Sequence, residues 1–528
     1  MPVINRADST RQSVFKNSWT ATFKAFIHPR VITMLFLGFS AGIPILLIFS
    51  SLSLWLREAG VERSTVTYFS WAALAYSFKF VWAPLVDKLP LPILTRLLGR
   101  RRSWMLVSQI AVIMAILLMA QTNPADNGSL VLMALSAVLL GFSSATQDIV
   151  IDAYRIESAE SELQALMSST YIAGYRIGML VAGAGALFLA SYFGTSKETY
   201  NYHAWQMSYN VVAGIMLVGV ITTLSIKEPD QYKERFEAYT GNDYLRFLLV
   251  FLMSVLAFIA SYYFSSEISR SATQGLTESL GNKYLAGLLV GFLRLSAAVV
   301  NFALMALVLV KLNLVKKEMV VETYIAPVLD FFRRYGLTLA WLLLALIGLY
   351  RISDIVLGII ANVFYQDLGY SKIEIATVVK TFGLFMTILG GFLGGILTVR
   401  YGVLKILFLG ALLSAATNLL FVWLSSVGHN LPLLYVVISA DNLSAGLASA
   451  AFIAFLSSLT NVSFTAMQYA IFSSLMTLIP KALGGYSGTM VDELGYTNFF
   501  LLTALMGLPV LLLILLAGRY FQLEKKTA

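Results

Sequence analysis

The sequence predicts an all-α polytopic membrane protein of fourteen transmembrane helices, two six-helix bundles with two extra helices between them. Three observations lead there. Of 528 residues, 58% are hydrophobic and only 12% charged, about half the charge of a soluble domain. Fourteen apolar runs are long enough to cross a bilayer. Of the 37 Lys and Arg, 25 fall in loops on the side that carries the N terminus, against 7 on the other side and 5 inside spans. That asymmetry is the positive-inside rule at work. A cytosolic enzyme, a disordered chain and a secreted scaffold are excluded, and the net charge of +9 is topological, with no nucleic-acid partner implied.

The first six runs are 31–56, 65–86, 103–121, 130–150, 166–190 and 205–226. Two more follow, 245–264 and 285–310, and then six, 337–364, 375–399, 404–424, 433–459, 465–479 and 499–516. Each must be a helix, because a lipid-facing backbone has to satisfy its hydrogen bonds within the segment. Trp55, Trp104, Trp205, Trp341 and Trp423 sit near span ends, as an interfacial belt requires. The even count places both termini in the cytoplasm, and the polar, basic first thirty residues do not read as a removable signal peptide.

Loop lengths divide the chain into a bundle at 1–226, an insert with two extra helices and a linker at 227–334, and a bundle at 335–528. The linker is basic at both ends (Lys316, Lys317, Arg333, Arg334), and 320–332 reads as lying along the cytoplasmic surface. Six plus six helices about a central connection is the plan of major facilitator transporters. Asp87-Lys88 followed by Gly99 to Arg102, and Gly394-Gly395 followed by Arg400-Tyr401-Gly402 and Lys405, resemble the cytoplasmic signature of that superfamily.

With no cysteine, thiolate chemistry and cysteine-ligated metals are excluded, and His28, His203 and His429 lie far apart outside the apolar runs. No metal site is expected. No nucleophile–base set or phosphate-binding loop is visible either, so neither an enzyme nor an ATP-driven pump is expected.

Ionisable groups near a bilayer centre cost on the order of 3 kcal/mol each on insertion scales. The spans hold Lys79, Arg176, Arg294, Arg351 and Lys380 against Asp354 and Asp441. Such a surplus of cations suits an anionic ligand, since arginine presents a planar fork to carboxylate or phosphate and lysine a point charge. Arg351 and Asp354 are three apart and share a helix face. They read either as a self-neutralising pair or as a pair whose carboxylate takes a proton and frees the arginine. Asp148 and Asp152, with Gln147 and Arg155 adjacent, lie where the fourth span meets the cytoplasm. Gating against the cytoplasmic arginines and ligand binding both remain open for them. Gly174-x3-Gly178 and the interleaved Gly390/Gly394 and Gly391/Gly395 predict close helix packing.

Several segments resemble the AmpG-type muropeptide permeases of bacterial inner membranes. They are Gly38 to Pro44, Phe78 to Asp87, Gly99 to Trp104, Ser143 to Asp152, Gly174 to Leu180, Lys380 to Leu384, Asp441 to Leu443 and Thr465 to Gln468. The resemblance covers both six-helix halves. It implies a major facilitator permease that imports N-acetylglucosaminyl-1,6-anhydro-N-acetylmuramyl peptides from periplasm to cytoplasm on the proton gradient. Cell-wall recycling, and β-lactamase induction where the gene exists, would follow. Lys79, Asp148, Asp152, Arg176, Asp354 and Lys380 match the family's motifs; nothing carries over to the inserted helix pair.

The expected mechanism is proton symport by alternating access. Lys79, Arg176, Arg351 and Lys380 hold the peptide carboxylates, and Gln147, Tyr175, Asn442 and Gln468 contact the sugars. Asp354 or Asp441 accepts the proton, and Asp87, Arg100, Arg101, Asp148 and Asp152 gate. Partners are the muropeptide, protons and the lipid bilayer, with no cofactor, for a monomeric chain in the inner membrane. The alternatives are a permease for another bulky anion, such as an acetyl-coenzyme A-like compound, and a non-transporting membrane sensor.

Overall fold

The computed structural model describes residues 24–527 except 63–64, 67–68, 70–75, 77, 127, 159–160, 197–198, 230–238, 282 and 485–486. Among the described residues thirteen helices are long and apolar enough to cross a membrane. They coincide with thirteen of the fourteen expected spans. The remaining one, 65–86, is described only in part, 67–68, 70–75 and 77 lying outside the described residues.

In the first half, α1 (Pro29–Leu46), α2 (Arg100–Ala120), α3 (Ser129–Ser158), α4 (Ser161–Leu180) and α5 (Tyr202–Ile215) carry the spans. Helix α1 continues through a π turn to Glu58, α4 through another to Tyr192, and α5 through Leu217–Ser225. The insert holds α6 (Gly241–Phe264), α7 (Ser266–Leu280) and α8 (Lys283–Lys311). The second half holds α9 (Ala326–Leu349), α10 (Ile352–Asp367), α11 (Gly383–Tyr401), α12 (Val403–Val427), α13 (Leu431–Leu459), α14 (Thr465–Gly484), α15 (Ser487–Leu505) and α16 (Gly507–Thr527). Residues 1–231 and 331–528 together form one compact unit, and 232–330 form a second. The two six-helix halves are therefore one body, with the insert separate from it.

Lipid tails are as apolar as leucine, so these helices associate through close packing and polar contacts. Helix α1 lies on α4 with glycines alternating across the seam. A Cβ on Gly38 or Gly42 would overlap the carbonyl of Tyr171 or Tyr175, and one on Gly174 or Gly178 that of Leu35 or Phe39. The obstacle each time is backbone, which has no rotamer to yield. Gly390 and Gly394 do the same against Leu443 and Leu447 of α13, whereas Gly395 faces Ser169 of the first half. One glycine row thus builds a half and the other row meets its partner half. Gly178→Val should push α1 off α4 and destabilise by about 1–3 kcal/mol or more. Gly214→Ala, with nothing within 4 Å of its Cβ, should be neutral. Thermal unfolding in detergent checks both.

Each half also has an aromatic centre. Trp55 stacks on Trp205 with ring centroids 5.6 Å apart, and Glu58 accepts the Trp205 indole N–H at 2.8 Å. In the second half Phe364 meets Phe500 edge-on at 4.7 Å and Phe421 fills the space behind them.

Two elements depart from simple spans. Helix α3 runs to Ser158, eight residues past the expected end, and every residue from Ser143 to Ser158 is buried. It continues because protein, not lipid or water, surrounds it. The expected span 337–364 is interrupted: Arg351, with φ −101° and ψ 14°, stands between α9 and α10.

Candidate functional site

The break at Arg351 sets up the first cluster. Arg351 caps α10 and Asp354 lies in that helix's first turn, where the exposed N–H groups favour a carboxylate. The Arg351 Nε donates to Asp354 Oδ2 at 3.1 Å and its Nη2 donates to the same oxygen. The side chains are 24% and 19% exposed, so the pair is neither solvated nor sealed. Asp441 on α13 interacts electrostatically with both. Arg176, from α4 of the other half, faces Arg351 and Asp354 across the seam. The structure therefore brings together Arg176, Arg351, Asp354 and Asp441, which the sequence places on three distant spans.

The second cluster is built on the buried end of α3. Lys79 Nζ lies 3.7 Å from Asp152 Oδ2, and Arg155 donates to Asp152 Oδ1 at 3.2 Å. Arg155 also donates to Ser168 at 3.1 Å and, across the seam, to Ser457 at 2.7 Å, with Tyr469 of α14 5.1 Å from its guanidinium. Asp148, one turn earlier, is buried with its Oδ1 lacking a hydrogen-bond partner.

The third cluster is a latch between halves. Arg101 donates to Asp87 Oδ1 at 2.7 Å, to Glu157 Oε2 at 2.9 Å and to Thr465 Oγ1 at 2.9 Å. Thr465 donates in turn to Glu157. The Asp87 carboxylate accepts the backbone N–H groups of Ala466 (3.2 Å) and Met467 (2.9 Å), the unsatisfied donors at the start of α14. Arg100 ties the Asp87 carbonyl. Glu228 caps α2 by accepting from the N–H groups of Arg101 (2.8 Å) and Arg102 (3.0 Å). Burial pushes its carboxyl above the usual carboxylate range in spite of those bonds.

The other expected contacts are distributed differently. Gln147 is fully buried and donates to Ser40 at 3.0 Å. Asn442 accepts from Thr387 at 2.9 Å and donates to the Ile438 carbonyl. Gln468 accepts from Arg334 (3.0 Å) and from the Asn461 N–H (2.8 Å). These three amides make hydrogen bonds to the protein, whereas Tyr175 stays partly exposed beside Tyr171. Lys380 is exposed within a π-helical stretch, Ile375–Phe382, a geometry frequent at functional sites. Arg176 and Lys380 make no ion pair or hydrogen bond among the described residues.

Sequence reasoning missed Glu157 and Thr465 as latch members and Arg155, Ser457 and Tyr469 as a second seam contact. Glu157 lies beyond the hydropathy boundary at 150. Helix periodicity gave no signal for it either, since five residues from Asp152 place it about 140° further around α3.

The family profile described as Major Facilitator Superfamily matches residues 34–350 and 342–528. The "Putative transporter AmpG 4" of Rickettsia conorii (strain ATCC VR-613 / Malish 7) is 30% identical over 493 residues, covering 93% of this chain and 97% of that one. The chain belongs to the AmpG-type branch of the major facilitator superfamily. The "Anhydromuropeptide permease" of Escherichia coli (strain K12) is 28% identical over 493 residues, covering 93% of this AmpG-type chain and 80% of that protein. Solved structures agree on the fold: the proton:xylose symporter XylE (TM-score 0.57, 11% identity, 93% and 95% covered) and the fucose:proton symporter FucP of E. coli (0.58, 10%, 93% and 99%). The relatives are named transporters and permeases, so this AmpG-type chain is a multi-pass transporter and not an enzyme.

Proposed function

We propose that the chain imports N-acetylglucosaminyl-1,6-anhydro-N-acetylmuramyl peptides across the bacterial inner membrane by proton-coupled alternating access, with both termini cytoplasmic. The observation that carries the reading is the unequal state of the four deep cations in its two six-helix halves. Lys79 is engaged by Asp152 and Arg351 by Asp354, whereas Arg176 in one half and Lys380 in the other are without partners among the described residues. A ligand with several carboxylates on a flexible stem peptide offers partners to both halves at once, and the E. coli relative is named for such a ligand.

In this reading the ligand enters while the Arg101–Asp87–Glu157–Thr465 latch holds the cytoplasmic end closed. Its carboxylates bind Arg176 and Lys380. The charge it brings beside Arg351 competes with Asp354, which takes a proton, and Asp441 beside them is the alternative acceptor. Closing of the two halves on the ligand then opens the latch. Import of the cell-wall fragment supports recycling and the β-lactamase induction that depends on it.

Uptake of labelled anhydromuropeptide into proteoliposomes, with and without an inward proton gradient, tests the reading. Accumulation that collapses with a protonophore supports it; gradient-independent equilibration removes the coupling, and no uptake by folded protein removes the cargo. Charge-assisted hydrogen bonds contribute about 1.5–3 kcal/mol each. Arg176→Gln and Lys380→Gln should therefore each raise KM roughly 10- to 100-fold, while Gln468→Ala, which alters only hydrogen bonds to Arg334 and Asn461, should change KM little.

A further inference from the structure

The inserted helix pair carries a site of its own at the end where α6 begins and α8 stops. Helix α8 closes with Asn313 at φ 56°, the Leu314 N–H bonding back to Leu309 O at 3.1 Å and the Asn313 N–H to Val310 O at 3.0 Å. That pattern satisfies its last carbonyls and turns the chain sharply. Val315 then buries, and Lys316 comes back onto the first turn of α6, its Nζ 2.8 Å from Asp243 Oδ2. Asp243 also closes a capping box with Thr240. The turn leaves a cavity of about 430 Å³ walled by Asp243, Arg246, Asn313, Lys316, Lys317 and Glu318.

Lys316 and Asp243 cancel each other. Arg246 and Lys317, both exposed, have no ion-pair partner among the described residues and stand against the single carboxylate of Glu318. Leu245, beside Arg246, is 55% exposed; Leu312 and Leu314, on either side of Asn313, are 64% and 48% exposed. Both helices pass from apolar to polar sequence here, the composition of a membrane interface, with cations in the cavity wall and exposed leucines next to wall residues in sequence.

We propose that this cavity holds the headgroup phosphate of an anionic phospholipid, with Arg246 and Lys317 as its ligands and the acyl chains lying against Leu245, Leu312 and Leu314. The arginine fork suits a phosphate bidentately and the lysine adds a point charge, and basic pockets beside membrane helices favour anionic headgroups. A zwitterionic lipid brings the same phosphate with an ammonium that the two cations repel. A soluble phosphate lacks the chains that the leucines would cover.

The test is native mass spectrometry of the purified full-length protein in detergent with phosphatidylglycerol, phosphatidylethanolamine or inorganic phosphate added. One phosphatidylglycerol should be retained at least tenfold better than phosphatidylethanolamine, and inorganic phosphate at millimolar concentration should not displace it. Arg246→Gln with Lys317→Gln should lower retention at least tenfold. Neutralising two other exposed arginines, Arg96→Gln with Arg519→Gln, should leave it unchanged. Equal retention by the cavity variant and the parent protein, or equal retention of the two lipids, would overturn the proposal. Displacement by inorganic phosphate would overturn the lipid as occupant.

Discussion

Asp354→Asn is expected to abolish accumulation of ligand against a gradient while leaving exchange of labelled for unlabelled ligand intact. Asparagine keeps the size of the side chain and can still accept from Arg351, so the break between α9 and α10 should hold. What it loses is the proton-accepting carboxylate that the proposed coupling requires beside Arg351 and Arg176. A single net charge moving through 100 mV contributes about 2.3 kcal/mol, roughly a 50-fold accumulation ratio. The variant should fall from such a ratio to about one. Proteoliposome uptake and counterflow, measured side by side, give the two readouts. Accumulation at the parent level would take the coupling role from Asp354, and the same pair of assays on Asp441→Asn would then show whether its neighbour carries it.

Arg101→Ala is the second large effect. The guanidinium serves Asp87, Glu157 and Thr465 together, all buried. Removing it leaves two carboxylates facing each other with little water, and breaking a buried pair in this way costs about 3–5 kcal/mol. Because Thr465 belongs to the opposite half, the penalty falls on the latched arrangement. The equilibrium should move by more than 100-fold toward the unlatched one, and transport should fail with it. A single cysteine at Ser457, buried at the seam beside Arg155, reports the change, since the chain has no other cysteine. Its alkylation should accelerate at least tenfold in Arg101→Ala. Unchanged alkylation would mean that the halves are held together elsewhere.

Hydropathy located the helices well because a bilayer imposes one length scale on every span. It failed at the end of α3, where the helix leaves lipid but stays inside protein, and the apolar signal stops at 150 although the helix does not. The Arg351–Asp354 pair was visible from its i, i+3 spacing, and so was the glycine packing of α1 on α4. The interruption at Arg351 was not, since no proline or glycine marks the position itself. Which cations are neutralised was also hidden. Lys79 meets Asp152 from 73 residues away in sequence, and Arg101 meets Thr465 from 364. Periodicity carries no information across such separations. The same holds for Arg294, a deep cation with no acid in view by sequence, which donates to the Tyr262 carbonyl and stacks on that ring at 3.8 Å.

The buried end of α3 also constrains how the chain is made. Glu157 is served by Thr465, 308 residues later, so a nascent first half holds Glu157 on Arg101 alone until its second partner is made. At about 5–20 residues per second, that wait lasts roughly 15–60 s. During it Glu157, and Asp87 awaiting the Ala466 and Met467 N–H groups, must be kept hydrated at the membrane surface or held by the insertion machinery. The first bundle is then a protein that becomes finished only when the second arrives, and substitutions at Thr465 should show themselves as losses of first-half helices to quality control before they show in transport.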